Sequence, residues 1–235
     1  MQLFNFYIFT FLLNFTFTFA AFIPNGRAWH SSVLIDNKLY FSGGNKDSLW
    51  SIITNEFFYL DVSKPFTTTD NGLMQWVDLT YTGSPLKYAA TACIGGKNND
   101  MIFIFGGHSH SSGDFYANQS FVNQFDTNKQ QWINIASVGN VPTKKFQFSC
   151  ANFDNGLTAI FSGAFNETFV INDLWIFNTL TLTWSLSNAT NEPLPMFGYC
   201  AVTLLDGNIL YIGGMSYINS TTVPYVSMNY VSFIF

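Results

Sequence analysis

Four short apolar runs punctuate the chain, and each ends in a glycine or a glycine pair. They are KLYFSGG (38–44), MIFIFGG (101–107), LTAIFSGA (157–164) and NILYIGG (208–214). Brief runs of β-branched and aromatic residues bounded by turn residues predict strands rather than helices. Each run is preceded by a shorter apolar segment and a polar turn: HSSVLIDNK, TACIGGKNND, SCANFDNG and YCAVTLLDGN. Asp, Asn and Gly tolerate the positive φ that tight hairpins need, so each unit is predicted to open with a two-stranded hairpin. An irregular stretch follows, then a third strand with an aromatic close to Asp or Asn: FFYLDVS, VNQFDTN and LWIFNTL. A fourth strand carries a tryptophan, in QWVDL, QWINI and TWSLS, giving Trp76, Trp132 and Trp184.

The first glycines of the four units, Gly43, Gly106, Gly163 and Gly213, are spaced by 63, 57 and 50 residues. A period near 50 built from four strands is the signature of a propeller blade. Phe125 to Trp132 and Phe177 to Trp184 are both seven residues apart, whereas Tyr59 to Trp76 is seventeen, which places an insertion in the first unit. On these residues the chain resembles the kelch-repeat family. Arg27, His30 and Ser31 echo the family's opening strand. The pairs Gly43-Gly44, Gly106-Gly107 and Gly213-Gly214, the aromatic near Asp, and the Trp follow in family order. The third unit departs with Ser162-Gly163-Ala164.

The resemblance implies an all-β, kelch-type β-propeller with repeats near 27–80, 87–135, 145–186 and 196–235. If Tyr230 is the third-strand aromatic of the last unit, its Trp falls past Phe235, leaving three full four-stranded blades and most of a fourth. Ring closure is what limits exposed strand edges in a propeller. An open ring therefore implies a homo-oligomer, a partner that supplies strands, or a truncated relative of a longer chain, and truncation is preferred.

Composition narrows the function classes. At 235 residues the chain is long enough for one sizeable domain, and 10% charged with 19% aromatic residues excludes disorder. A net charge of -5, with no basic run beyond Lys144-Lys145, argues against a nucleic-acid partner. From Met1 to Phe22 there is no charged side chain, and the stretch ends in the small residues Ala20-Ala21. Residues 1–20 read as a signal peptide, with an uncleaved N-terminal anchor as the alternative, and 21–235 as the propeller. Both readings place the domain in an oxidising lumen and predict a secreted or cell-surface protein. Four N-x-S/T sequons, at Asn118, Asn166, Asn188 and Asn219, agree with that route and predict glycosylation.

In a four-stranded meander, the loops joining strands two and three share one face with the linkers between blades, here the second face. It collects the long variable segments, and binding residues favour such loops. Trp50 and Tyr116 are the contact candidates, with His108 and His110 in the loop after the second glycine pair. His108-x-His110 with Asp114 also forms a weak metal candidate, but a Ser/Gly-rich loop fixes no geometry, so a solvated loop is expected. No cofactor is predicted. The resemblance extends to copper radical oxidases with kelch-like blades, whose site implies two Tyr, two His and a Tyr-linked Cys. Tyr199 and Cys200 are adjacent, so alternation sends them to opposite sheet faces, and no matching histidines accompany them. Cys93, Cys150 and Cys200 are expected as buried free thiols, a disulfide between two of them being the alternative. Asp126 and Asp173 are expected to lock turns or loops. The expected function is a non-catalytic binding scaffold for protein, or for glycan. The alternatives are an oxidase-type enzyme or a truncated member with no independent activity.

Overall fold

The computed structural model describes residues 22–47, 52–66, 74–109, 120–135, 140–166, 169–188, 193–216, 224–226 and 232–234. The first blade is an antiparallel sheet of β1 (Ser31–Ile35), β2 (Lys38–Ser42), β3 (Phe57–Asp61) and β4 (Trp76–Asp78) in that spatial order. The second repeats it with β5 (Thr91–Gly95), β6 (Met101–Phe105), β7 (Val122–Asp126) and β8 (Gln131–Ile133). The third uses β9 (Cys150–Asn152), β10 (Leu157–Phe161), β11 (Leu174–Asn178) and β12 (Thr183–Leu186). In the fourth, β13 (Met196–Phe197) pairs with β16 (Met215–Ser216) as a short extension. Beside it, β14 (Cys200–Thr203), β15 (Ile209–Ile212) and β17 (Ser232–Ile234) form a three-stranded sheet. The architecture is an incomplete propeller.

The opening hairpins form as expected, with Asp36, Asn99, Gly156 and Gly207 at positive φ in their turns. Asp61, Asp126 and Asn178 end the third strands, and each side chain accepts a backbone N–H two residues on, from Ser63, Asn128 and Leu180 at 2.9–3.0 Å. That small repeated turn directs the chain into the tryptophan strand. Phe125 faces Trp132 and Phe177 faces Trp184 across their ladders.

Pairing corrects three registers. In the first blade Trp76 faces Leu60, so Leu60 takes the place expected of Tyr59, which faces Val77. In the third blade Ser162 adopts φ 49°, matching Gly43 at 67°, Gly106 at 62° and Gly213 at 69°. Ser162 is thus the first residue of its pair, and Gly163 is the second. In the fourth blade the third strand lies at Ser232–Ile234, with Ile234 opposite Ile209, as Phe125 is opposite Ile102. Tyr230, expected to mark that strand, lies outside the described residues.

Inner strands follow one another around the axis as β1, β5, β9 and β14, and aromatic rings fill the space between sheets. Phe57 of the first blade packs on Phe125 at 4.7 Å and Trp132 at 5.2 Å of the second. Phe105 of the second packs on Phe177 at 5.3 Å and Trp184 at 5.7 Å of the third, and Phe161 of the third on Tyr211 at 5.4 Å of the fourth. Edge-to-face contacts of this kind add to the burial that holds blade to blade.

The expectation of three buried free thiols is overturned. Cys93 on β5 and Cys150 on β9 form a disulfide with Cα atoms 6.5 Å apart, and Cys200 is an exposed free cysteine. Strand alternation is the reason. Cys93 packs into the cluster shared with the third blade, and Cys150 points back at it from the adjacent inner strand. Cys200 sits on the opposite side of β14 from Tyr199 and Ala201, which pack toward the third blade.

Candidate binding face

The second face is built from the residues that lead into each inner strand. Ala28, Tyr88 and Phe146 form single β-bridges with Asn45, His108 and Ala164, each two residues past the first glycine position. In the fourth blade Phe197 and Met215 make the equivalent pair within β13 and β16. The next residue of each lead-in, Trp29, Ala89, Gln147 and Gly198, has φ between 53° and 66°. Backbone bonds link these four in series. Ala89 N–H donates to the Trp29 carbonyl at 2.8 Å, Gln147 N–H to Ala89 at 2.9 Å, and Gly198 N–H to Gln147 at 2.6 Å. The left-handed conformation, rare for Trp, Ala and Gln, is thus held by contacts between blades rather than by local residue preference.

The glycine pairs serve the same junction. Gly44 and Gly107 N–H groups donate to the carbonyls of Lys87 and Lys145 in the following blades, at 2.8 and 3.1 Å, and Gly163 donates to Met196 at 3.1 Å. A Cβ on Gly43 or Gly106 would collide with those same Lys87 and Lys145 carbonyl oxygens. Ser162 replaces glycine because its hydroxyl is employed there. Its Oγ donates to the Ile171 carbonyl at 2.7 Å and accepts Met196 N–H at 2.8 Å.

Two residues before each left-handed position lies a cation in three blades: Arg27, Lys87 and Lys145. Arg27 and Lys46 both pair with Glu56. Lys145 Nζ lies 2.5 Å from Asp173 Oδ1, and Asp173 Oδ2 accepts Trp175 Nε1 at 2.7 Å. Asp173 therefore locks a lead-in segment, whereas Asp126 locks a turn. Where the other blades have Glu56 and Asp173, one residue before the third strand, the second blade has Phe121. Lys87 Nζ instead donates to the Ser120 carbonyl at 2.8 Å. Burial, then the nearby Lys144 charge, pushes the Lys87 amine down to about 7. The sequence signal for this set is a basic residue two positions before the left-handed one, Arg27-x-Trp29, Lys87-x-Ala89 and Lys145-x-Gln147, which the strand pattern does not pick out.

The exposed aromatic on this face among the lead-in residues is Trp29, 37% exposed at the first left-handed position. His108 is buried rather than solvated. Its ring lies 5.4 Å from Tyr88 and 3.9 Å from Phe146 of the next blade, and burial pushes its imidazole down to about 4. His30 is half-buried, 5.5 Å from Phe41, with its pKa lowered by burial and by Arg27. Trp50, His110, Asp114, Tyr116, Asn118 and Asn219 lie outside the described residues. Asn166 lies half-buried in a turn after β10, and Asn188 is exposed beyond β12. Among the described residues no group of three or more His, Cys, Asp and Glu side chains could hold a metal ion. The Tyr199 hydroxyl donates to the backbone carbonyl of Phe161, with the Ser149 carbonyl 3.3 Å away.

This arrangement matches known proteins along most of its length. Residues 29–230 match the family model described as the KLHDC2/KLHL20/DRC7 Kelch-repeats domain. The chain belongs to the kelch-repeat family. Kelch domain-containing protein 3 of Homo sapiens is 26% identical over 204 residues, covering 83% of this chain and 49% of that protein. The Bos taurus protein of the same name gives the same figures. Acyl-CoA-binding domain-containing protein 5 of Arabidopsis thaliana is 26% identical over 199 residues, 83% of this chain and 29% of its own length. The kelch chain thus spans about half the length of the first of these relatives. The solved structure of YjhT superposes with a TM-score of 0.65 at 16% identity, covering 91% of this chain and 70% of that one, a likeness of fold.

Proposed function

We propose that this kelch chain is a secreted or cell-surface, non-catalytic scaffold that binds protein through its second face around Trp29. The observation that carries the binding reading is the exposed Trp29 indole on a backbone at φ 60°, where the following blades carry Ala89, Gln147 and Gly198. The positive φ is common to all four lead-ins, so what singles out the first is the bulky indole that it carries where the others have small or polar residues. Tryptophan is also enriched where binding energy concentrates. The secretory reading is supported by the Cys93–Cys150 disulfide, since such bonds persist in oxidising compartments. The uncharged Phe-rich N-terminal stretch and the sequons agree with it. The non-catalytic reading is supported by two cysteines committed to a disulfide and by Tyr199 and Cys200 on opposite faces of β14.

The test is cross-linking mass spectrometry on cell-surface extracts with the secreted protein, its Trp29→Ala variant, and Leu205→Ser as a control in the exposed turn after β14. Loss of one protein partner on Trp29→Ala alone supports the proposal. Partners retained by Trp29→Ala, or a glycan array that lights up in place of any protein partner, would sink it.

A further inference from the structure

Asn166 stands on the rim of an apolar hollow, and the geometry points to that hollow as the seat of its own N-linked glycan. The inference rests on the secretory reading above. The turn after β10 is closed by Phe165 N–H donating to the Phe169 carbonyl at 2.9 Å, with Asn166 N–H directed at the same oxygen at 3.4 Å. That clasp holds Phe165 and Phe169 edge to face, 6.2 Å apart, with Asn166 immediately beside them. Together with Thr143 and Ile171 they line a hollow of about 400 Å³, and Phe169 is 57% exposed. Ile171 is tied back to the sheet by its N–H on the Gly163 carbonyl at 3.0 Å, so the floor is anchored to the blade.

Phe169 thus leaves an aromatic face open to solvent directly beside an acceptor asparagine. Asn166-Glu167-Thr168 is an acceptor sequence, and the group it would receive begins with N-acetylglucosamine. One face of that sugar is lined with C–H groups and its acetamide ends in a methyl, which suits aromatic rings better than water. Asn188 provides the internal contrast. It is exposed beyond β12 and is not among the residues that line this hollow.

The experiment uses the full chain expressed in a eukaryotic secretory host. Glycopeptide mass spectrometry reads occupancy, and thermal unfolding is measured for wild type, Asn166→Gln, Phe169→Ala and the double variant, with Asn188→Gln as control. Wild type trimmed enzymatically to a single N-acetylglucosamine completes the set. Expected results are an occupied Asn166, and a drop of about 2–4 °C in Tm for Asn166→Gln. That drop disappears in the Phe169→Ala background, is absent in Asn188→Gln, and is absent after trimming. An equal drop in both backgrounds, or none in either, overturns the inference. A bare Asn166 beside other occupied sequons overturns it alone. Four bare sequons overturn the secretory reading and the inference with it. Phe169→Leu serves as the alternate background if Phe169→Ala is not recovered.

Discussion

Cutting the Cys93–Cys150 link perturbs the fold at one defined junction, between the inner strands of the second and third blades. The two residues are 57 apart in sequence. Closing a loop of that length removes about 14 cal/mol/K of unfolded-state entropy, which corresponds to about 4 kcal/mol at 25 °C. A domain of this size shifts by roughly 2–4 °C per kcal/mol, so losing the bond should lower Tm by about 10 °C. The assay is thermal unfolding followed by far-UV circular dichroism, for wild type with and without reductant and for Cys93→Ala/Cys150→Ala. The reduced wild type and the double variant should fall together, because both relieve the same constraint. Cys200→Ala, exposed and unlinked, should leave Tm unchanged. A double variant within about 2 °C of wild type, with no response to reductant, would refute the reasoning.

Other consequences follow from the blade junctions. Gly106→Ala places a methyl at φ 62° against the Lys145 carbonyl and 2.6 Å from the Phe148 ring, and should destabilise by about 3 kcal/mol or more, read as a lower urea midpoint. His108 is held neutral in the fold to about pH 4, while its unfolded imidazole protonates near 6.5. The unfolded state therefore binds more protons between those values, and stability should fall as pH drops from about 6.5 to about 4. Comparing wild type with His108→Phe in urea titrations isolates this slope, which the variant should lack. Lys87, at about 7 in the fold against 10.5 unfolded, gives the same sign in a higher window. Its contribution should decline as pH falls from about 10.5 to about 7, so Lys87→Met should gain on wild type at neutral pH and lose that advantage toward pH 10.

The sequence carried the propeller because its determinants are local. Apolar runs ending in glycine, and Asp or Asn at the strand ends, fix hairpins whose neighbours are adjacent in the chain. What it did not carry depends on which blade faces which. Leu60 and Tyr59 are both apolar enough to stand before the turn, and only the ladder to Trp76 selects Leu60. Ser162 does not look like a left-handed residue until Ile171 and Met196 are seen bonded to its hydroxyl. His108 follows a glycine pair and looks like loop, yet Phe146 from 38 residues further on covers it. Trp29, Ala89 and Gln147 share no residue type, so their common backbone conformation is written in bonds between blades and in no local motif. The disulfide needs both facts at once: β5 and β9 must be neighbours, and Cys93 and Cys150 must point toward each other.

The most direct test of a disulfide-clipped kelch scaffold in the secretory route is non-reducing peptide mapping of the chain collected from the medium of a eukaryotic host. The account predicts a cross-linked peptide pair containing Cys93 and Cys150, with Cys200 alkylated. Alkylation of all three cysteines, a link involving Cys200, or a chain recovered only from the cytosol would contradict it.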